Sequence, residues 1–249
     1  MTLHPNLHTA FAQGHALKII SGLTNFDLTN VLAVAKAAQQ GGATFVDIAA
    51  DADLVRQVSQ HISLPICVSA IDPEAFLAPV AAGATLIEIG NFDAFYAQGL
   101  RFEAKDVLTL TQRTRELLPH IMLSVTVPHT LPLNEQVQLA EDLVAMGADI
   151  IQTEGGTSTK PVHPGTLGLI EKATPTLAAA HAISRAVRIP VLCASGISDV
   201  TAPMAIAAGA AGVGVGSAVN KLKSEIAMIA AVRRLHEALQ TVTRSAEKV

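Results

Sequence analysis

One eight-residue pattern recurs four times along this chain, and its spacing limits the folds open to it. Gly42-Ala43-Thr44-Phe45-Val46-Asp47-Ile48-Ala49 matches Gly83-Ala84-Thr85-Leu86-Ile87-Glu88-Ile89-Gly90 position by position. Gly147-Ala148-Asp149-Ile150-Ile151-Gln152-Thr153-Glu154 and Gly209-Ala210-Ala211-Gly212-Val213-Gly214-Val215-Gly216 follow the same course. Each copy is a Gly-Ala turn that stops an Ala-rich helical stretch and then a short apolar strand. A second set of apolar strands, at 64–69, 119–126 and 189–195, interleaves with the first, and residues 16–23 bring the number to eight. The pattern predicts helices over 28–40, 51–61, 73–82, 103–118, 134–146, 174–187, 199–208 and 224–240. Asp72-Pro73 and Thr174-Pro175 each pair a capping side chain with proline at the first helical position, and Asp199 is a further cap.

Continuously apolar strands that alternate with helices imply a parallel sheet covered on its outer face. Eight such units close as a single (β/α)8 TIM barrel, and a length of 249 residues suits one barrel. The expected organisation is one unit over 1–249. Residues 1–15, with His4, His8 and His15, form a cap below the barrel. Residues 154–173 form a long loop after the sixth strand, on the face where barrel active sites lie.

Half of the residues are hydrophobic and the net charge is −4, with no Lys/Arg run, no Trp and a single Tyr. That balance disfavours binding nucleic acid through a basic face or a stacking platform. No apolar run reaches the ~20 residues of a membrane span, and the N-terminus lacks a secretory pattern. Cys67 and Cys193 sit in apolar runs, as expected of buried, inert thiols in a reducing compartment. No Cys/His spacing marks a metal site.

The repeat alignment carries the sharpest inference about chemistry. Asp47, Glu88, Gln152 and Gly214 hold one position in strands two, four, six and eight, so they should share a layer of the barrel interior. Carboxylates in apolar strands are costly to bury unpaired, so Asp47 and Glu88 should face the upper barrel. Two close carboxylates drive their pKa values apart and make one an acid and the other a base. Lys18, within Leu17-Lys18-Ile19-Ile20, is their natural counter-charge, although the side it faces cannot be read from strand one. It could act as Schiff-base nucleophile, electrostatic clamp or salt-bridge partner. Alternation turns Thr153 toward the helices and Glu154 inward at the rim. Gly155-Gly156 could then turn backbone amides toward a ligand. Ser69, Ser124, Thr126 and Ser195 end the odd strands. Lys160 and His163 lie on the long loop, and His129 follows strand five.

Two strand ends near the C-terminus, Ser195-Gly196 and Gly214-Val215-Gly216-Ser217, leave backbone N–H groups uncovered. The segment from Ser217 opens a short helix, and together these turns suit a phosphate or similar anion.

On Ile151–Ser158, on Leu17-Lys18-Ile19-Ile20-Ser21-Gly22-Leu23 with Asn25-Phe26-Asp27, and on the two C-terminal strand ends, the chain resembles the hypothetical chloroplast reading frame twenty-three (Ycf twenty-three) family of cyanobacteria and plastids. The resemblance runs from about residue 11 to 238. It implies a barrel in a cyanobacterial cytoplasm or plastid stroma and brings no catalytic residues with it. More distantly, the last two strands resemble phosphate-binding barrels such as thiazole synthase, N-acylmannosamine-phosphate epimerase and flavin mononucleotide oxidoreductases.

Three functions follow. The leading one is an isomerase or lyase on a small phosphorylated metabolite, with Lys18, Asp47 and Glu88 in catalysis. Gln152, Glu154, Gly155 and Gly156 would hold the substrate, and Ser195, Gly196, Gly214, Gly216 and Ser217 its phosphate. The second is an FMN-dependent oxidoreductase using the same cradle, and the third a non-catalytic metabolite sensor. No metal is assigned, although Asp47 and Glu88 could ligate Mg²⁺ through oxygen. Ala-rich outer helices could pair two copies of the chain as a homo-oligomer.

Overall fold

The computed structural model describes residues 5–156 and 158–242. Eight parallel strands, β1 (Ala16–Ile20), β2 (Phe45–Ala49), β3 (Ile66–Ala70), β4 (Leu86–Ile89), β5 (Met122–Thr126), β6 (Ile150–Gln152), β7 (Val191–Ala194) and β8 (Gly212–Val215), pair in sequence order. β8 pairs back onto β1, so the sheet is a closed barrel. Around it run α1 (Pro5–Gln13), α2 (Leu28–Gly41), α3 (Ala52–Ser59), a 3-10 turn Pro73–Phe76 leading into α4 (Leu77–Ala81), α5 (Asp93–Tyr96) and α6 (Ala104–Leu117). They continue with α7 (Leu133–Ala145), α8 (Gly165–Ala186), α9 (Ala202–Ala207), α10 (Ser217–Asn220) and α11 (Glu225–Gln240).

Every strand is buried on both faces, because one face meets the helices and the other fills the barrel. Leu17, Ile19, Val46, Ile48, Ile87 and Val213 belong to the outer core against the helices. Phe45, Cys67, Leu86, Ile150 and Leu192 point inward at the lower end and meet Leu7 and Phe11 of α1. That helix therefore plugs the floor with two side chains no more than 4% exposed. His15, just beyond it, bonds the carbonyl of Val242, and His4 lies outside the described residues.

The turn chemistry explains most boundaries. Asp27 caps α2 by accepting from the N–H groups of Thr29 and Asn30, and Gly42 ends it at φ +90°. Asp51 caps α3 and Asp72 caps the turn that begins at Pro73. Four boundaries differ from the sequence expectation. β1 stops at Ile20, because Gly22 turns the chain at φ +122°. Thr174-Pro175 lies inside α8 rather than at its start. A helix of 22 residues absorbs the missing N–H of Pro175, with Ala173, Thr176, Ala179, Ala180 and Ile183 buried against the barrel. The loop after β6 is correspondingly shorter than 154–173, because α8 already begins at Gly165. Asp199 is not a cap; the hydroxyl of Thr201 accepts from the N–H of Ser198, and Asp199 pairs with Arg234 at 3.2 Å.

Candidate active site at the C-terminal mouth of the barrel

Above the apolar floor the interior changes character. Lys18, Asp47, Glu88 and Gln152 are each at most 1% exposed and meet in one layer. Lys18 points inward; its ammonium lies 2.6 Å from Glu88 Oε2, 3.0 Å from Asp47 Oδ2 and 3.0 Å from Gln152 Oε1. The Gln152 amide donates to Glu88 Oε1 at 2.7 Å and to the Thr126 hydroxyl at 3.2 Å. Ser124 donates to Glu88 Oε2 at 2.8 Å, and Ser69 to Asp47 Oδ1 at 2.5 Å. Every heteroatom of Glu88 and Gln152 is thus engaged, which is what makes a buried charged layer tolerable. Gly214 belongs to this layer too. A Cβ there would come within 2.8 Å of the Ala194 Cβ and 3.2 Å of Gln152 Oε1. This glycine makes room for Gln152 inside the barrel.

Burial alone would discharge Lys18, but Asp47 and Glu88 outweigh it and hold the ammonium protonated beyond the ordinary lysine range. A lysine so held is a poor amine nucleophile, so it suits the clamp and ion-pair roles better than a Schiff base. Burial raises the Glu88 carboxyl above the usual range; Lys18 offsets this in part and Asp47 adds to it. Burial also raises both thiols, Cys67 well above the usual value and Cys193 to about 11, so neither supplies a nucleophile.

A second cluster sits one level higher, at the rim. Glu154 turns inward, while Thr153 faces out and meets the Thr176 hydroxyl of α8 at 2.5 Å. Glu154 Oε1 accepts from the Tyr96 hydroxyl and from the backbone N–H of His129 at 3.2 Å; its Oε2 accepts from the N–H of Asp93 at 3.2 Å. His129 Nδ1 lies 3.2 Å from Glu154 Oε1 and 3.6 Å from Asp93 Oδ1. The Ser195 hydroxyl donates to Asp93 Oδ2 at 2.7 Å. Burial raises the Glu154 carboxyl, with His129 and Tyr96 opposing. For His129, burial lowers the pKa, but Glu154 more than reverses that and leaves it raised. Asn91, in the left-handed region at φ 60°, joins the two levels by donating to Glu88 Oε1 at 3.1 Å.

The turn after β7 has both Ser195 and Gly196 at positive φ, 71° and 77°. Gly216 and Ser217 are half-buried and exposed. A Cβ on Gly216 would meet nothing nearer than 3.7 Å, so packing does not demand a glycine there. Asn220 fastens this corner to β1 by donating to the carbonyls of Ile20 and Ser21, both at 3.1 Å. Gly155 and Gly156 are buried, and a Cβ on Gly156 would fall 2.4 Å from the Ser195 carbonyl oxygen. Gly156 lets the loop after β6 lie on the turn after β7, while a Cβ on Gly155 would meet Pro175 at 3.0 Å and His129 at 3.3 Å. Lys160 and His163 are exposed, with the His163 ring against Glu171 at 2.5 Å.

Asp93, Tyr96 and Asn91 are absent from the sequence-based candidates. One signal for them exists, since Asn91-Phe92-Asp93 after β4 repeats Asn25-Phe26-Asp27 after β1. A hollow of about 1020 Å³ lies elsewhere, at the N-terminal strand ends beside Leu7, Phe11 and Met122. Its Arg115 is spent on Asp149 at 2.6 Å and on the carbonyls of Gly147 and Ile121. Chemistry in barrels of this kind lies at the opposite face.

A family model described as a protein of unknown function, DUF561, matches residues 3–245. The chain belongs to the DUF561 family. A relative named "Uncharacterized protein ycf23" from Cyanophora paradoxa is 48% identical over 218 residues, covering 87% of this chain and 89% of its own. The protein of the same name from Pyropia yezoensis is 37% identical over 240 residues, 96% of this chain and 88% of its own. Among solved structures this DUF561 barrel is similar to GGGPS from Thermoplasma volcanium, at TM-score 0.68 and 12% identity, over 98% and 99% of the two chains. It is also similar to a putative fructose-1,6-biphosphate aldolase from Coccidioides immitis, at TM-score 0.64 and 18% identity, over 95% of each. At these identities the likeness is one of fold. Among the described residues no helix is long and apolar enough to cross a membrane.

Proposed function

We propose that this DUF561 protein is an enzyme that moves a proton on a small phosphorylated metabolite, as an isomerase or a lyase of the aldol type. The observation that carries this reading is the Lys18–Asp47–Glu88–Gln152 layer. Replacing a buried ion network by apolar side chains is often neutral or stabilising by about 1–4 kcal/mol. Three ionisable groups kept at the centre of an otherwise apolar barrel therefore favour a chemical task over a structural one. Solved structures similar in fold include the putative fructose-1,6-biphosphate aldolase and an (S)-3-O-geranylgeranylglyceryl phosphate synthase from Thermoplasma acidophilum in complex with its substrate sn-glycerol-1-phosphate, and the shared fold supports the same class.

In this reading the phosphate rests on the backbone at Ser195, Gly196, Gly216 and Ser217, and the reacting carbon points down toward Asn91 and Glu88. Glu88, whose carboxyl burial raises above the usual range, carries the proton transfer. Lys18 stays protonated and steadies negative charge as it develops, while Asp47 holds Lys18 in place.

Gly216→Ala tests the cradle, because a Cβ there touches little protein yet fills the space a phosphate would use. Inorganic phosphate and a set of small sugar phosphates are titrated calorimetrically against the native protein and the variant. Binding that Gly216→Ala weakens at least about tenfold with little change in melting temperature supports the reading. A native protein that ignores every phosphate removes it. A yellow protein that retains flavin mononucleotide would move the assignment to hydride transfer. Once a substrate is found, Glu88→Gln should lower kcat by about 10²–10⁴, and a folded Glu88→Gln variant with full activity would exclude Glu88 as the proton carrier.

A further inference from the structure

We propose that Asp93, His129 and Glu154 form a binding site for one divalent first-row transition-metal ion at the rim of the barrel mouth. The three residues follow β4, β5 and β6, which are neighbours in the sheet, so barrel closure brings them together. Each offers one ligand atom, and these atoms lie within 4.8 Å of one another. His129 Nδ1 stands 3.2 Å from Glu154 Oε1 and 3.6 Å from Asp93 Oδ1. Metal bonds of about 2.1 Å place adjacent ligand atoms roughly 3.0–3.5 Å apart, so little movement is needed.

A second observation points to a ligand. Asp93 Oδ1 is a buried carboxylate oxygen with no hydrogen-bond partner, an expensive state that a cation would relieve. The two carboxylates are also held alike. Asp93 keeps Oδ1 toward the imidazole while Ser195 holds its Oδ2. Glu154 turns Oε1 to the imidazole, an oxygen that also accepts from the Tyr96 hydroxyl and the His129 N–H, while the N–H of Asp93 holds its Oε2. Outer partners thus orient both carboxylates, as they do around metal ligands. The charge fits as well, since two carboxylates against one imidazole match a dication. One nitrogen and two oxygens favour manganese, iron or zinc over calcium or magnesium, which prefer an all-oxygen set. The site adjoins the proposed phosphate cradle through the Ser195 hydroxyl but does not depend on phosphate binding; a protein that fails to bind phosphate would leave this assignment standing.

The test is a titration of the dialysed full chain with Mn²⁺ at pH 7.5, followed by electron paramagnetic resonance, with Zn²⁺ as competitor. The expected result is one tightly held Mn²⁺ per chain, displaced by one equivalent of Zn²⁺. Asp93→Asn and His129→Gln should each weaken binding at least about tenfold, and Asp51→Asn, at the cap of α3, should leave it unchanged. Spin-echo spectra of the Mn²⁺-loaded native protein should show coupling to an imidazole nitrogen, a readout that survives even if a variant does not fold. Absence of stoichiometric uptake by the native protein, uptake untouched by folded Asp93→Asn and His129→Gln, or absence of the nitrogen coupling would each overturn the assignment.

Discussion

Lys18 brings one positive charge into a layer that holds two carboxylates, and that imbalance governs what single substitutions do there. Removing the lysine leaves Asp47 and Glu88 buried without a cation. Lys18→Met should therefore destabilise the fold by about 3–5 kcal/mol in chemical denaturation. A triple variant with apolar residues at positions 18, 47 and 88 should recover most of that loss. At the rim, His129 gives a pH signature. Burial works against its charge but Glu154 raises its pKa above the ordinary imidazole value. A base raised on folding contributes stability fully present below its unfolded pKa and lost as pH rises through its folded pKa. Glu154 is also raised, chiefly by burial, so it favours the fold more as pH falls toward the ordinary carboxylate range. Melting curves of the native protein and His129→Gln should accordingly differ most near pH 6 and converge as the solution becomes alkaline. A constant difference across that range would mean that His129 does not titrate with folding.

At the scale of elements, the mouth depends on how two turns lie on each other. Gly156 approaches the backbone of Ser195 and Gly196 so closely that a Cβ would fall 2.4–2.6 Å from three backbone atoms. Backbone cannot swing aside as a flexible side-chain end can. Gly156→Ala should therefore cost about 1–3 kcal/mol and disturb the turn after β7, so that stability and phosphate affinity fall together. This pairing contrasts with Gly216→Ala, in which affinity should fall alone. The same region holds α8, which continues through Pro175. Glu171 binds the loop back onto this helix by accepting from the N–H groups of Val162 and His163 at 2.8 and 3.1 Å. The first half of α8 is thereby fastened to the loop as well as to the barrel.

Across the whole molecule, the strand wall separates two cores, and each contains one thiol. Cys67 belongs to the inner core with Phe45 and Leu192, and Cys193 to the outer core with the helices. Both are fully buried. If the barrel opens only as a unit, both thiols should react with an aromatic disulfide reagent at one common rate, slowed by about 10³-fold or more relative to an unfolded chain. Two distinct rates in mass-resolved labelling would show that one part of the wall opens by itself.

The local periodicities were legible in the sequence because they are properties of a single strand. Alternation placed Asp47, Glu88 and Gln152 on one interior level, turned Thr153 outward and returned Glu154 to the rim. The eightfold count of strands implied closure, and the resemblance to the plastid family held over nearly the whole chain. Lys18 was ambiguous because its direction depends on how β1 registers between β2 and β8, which strand one does not encode by itself. Pro175 was misplaced because the local helix-start signal of Thr174-Pro175 yields to burial of α8 along its length. Asp93, His129, Glu154 and Ser195 were not legible as a group; Asp93 and Ser195 are 102 residues apart and meet only because the barrel closes. The sequence by itself determined the strands, their inward faces and hence the barrel. The tertiary structure decided the direction of Lys18 and which groups meet at the rim, because distances between loops are set by closure of the sheet and not by any period along the chain.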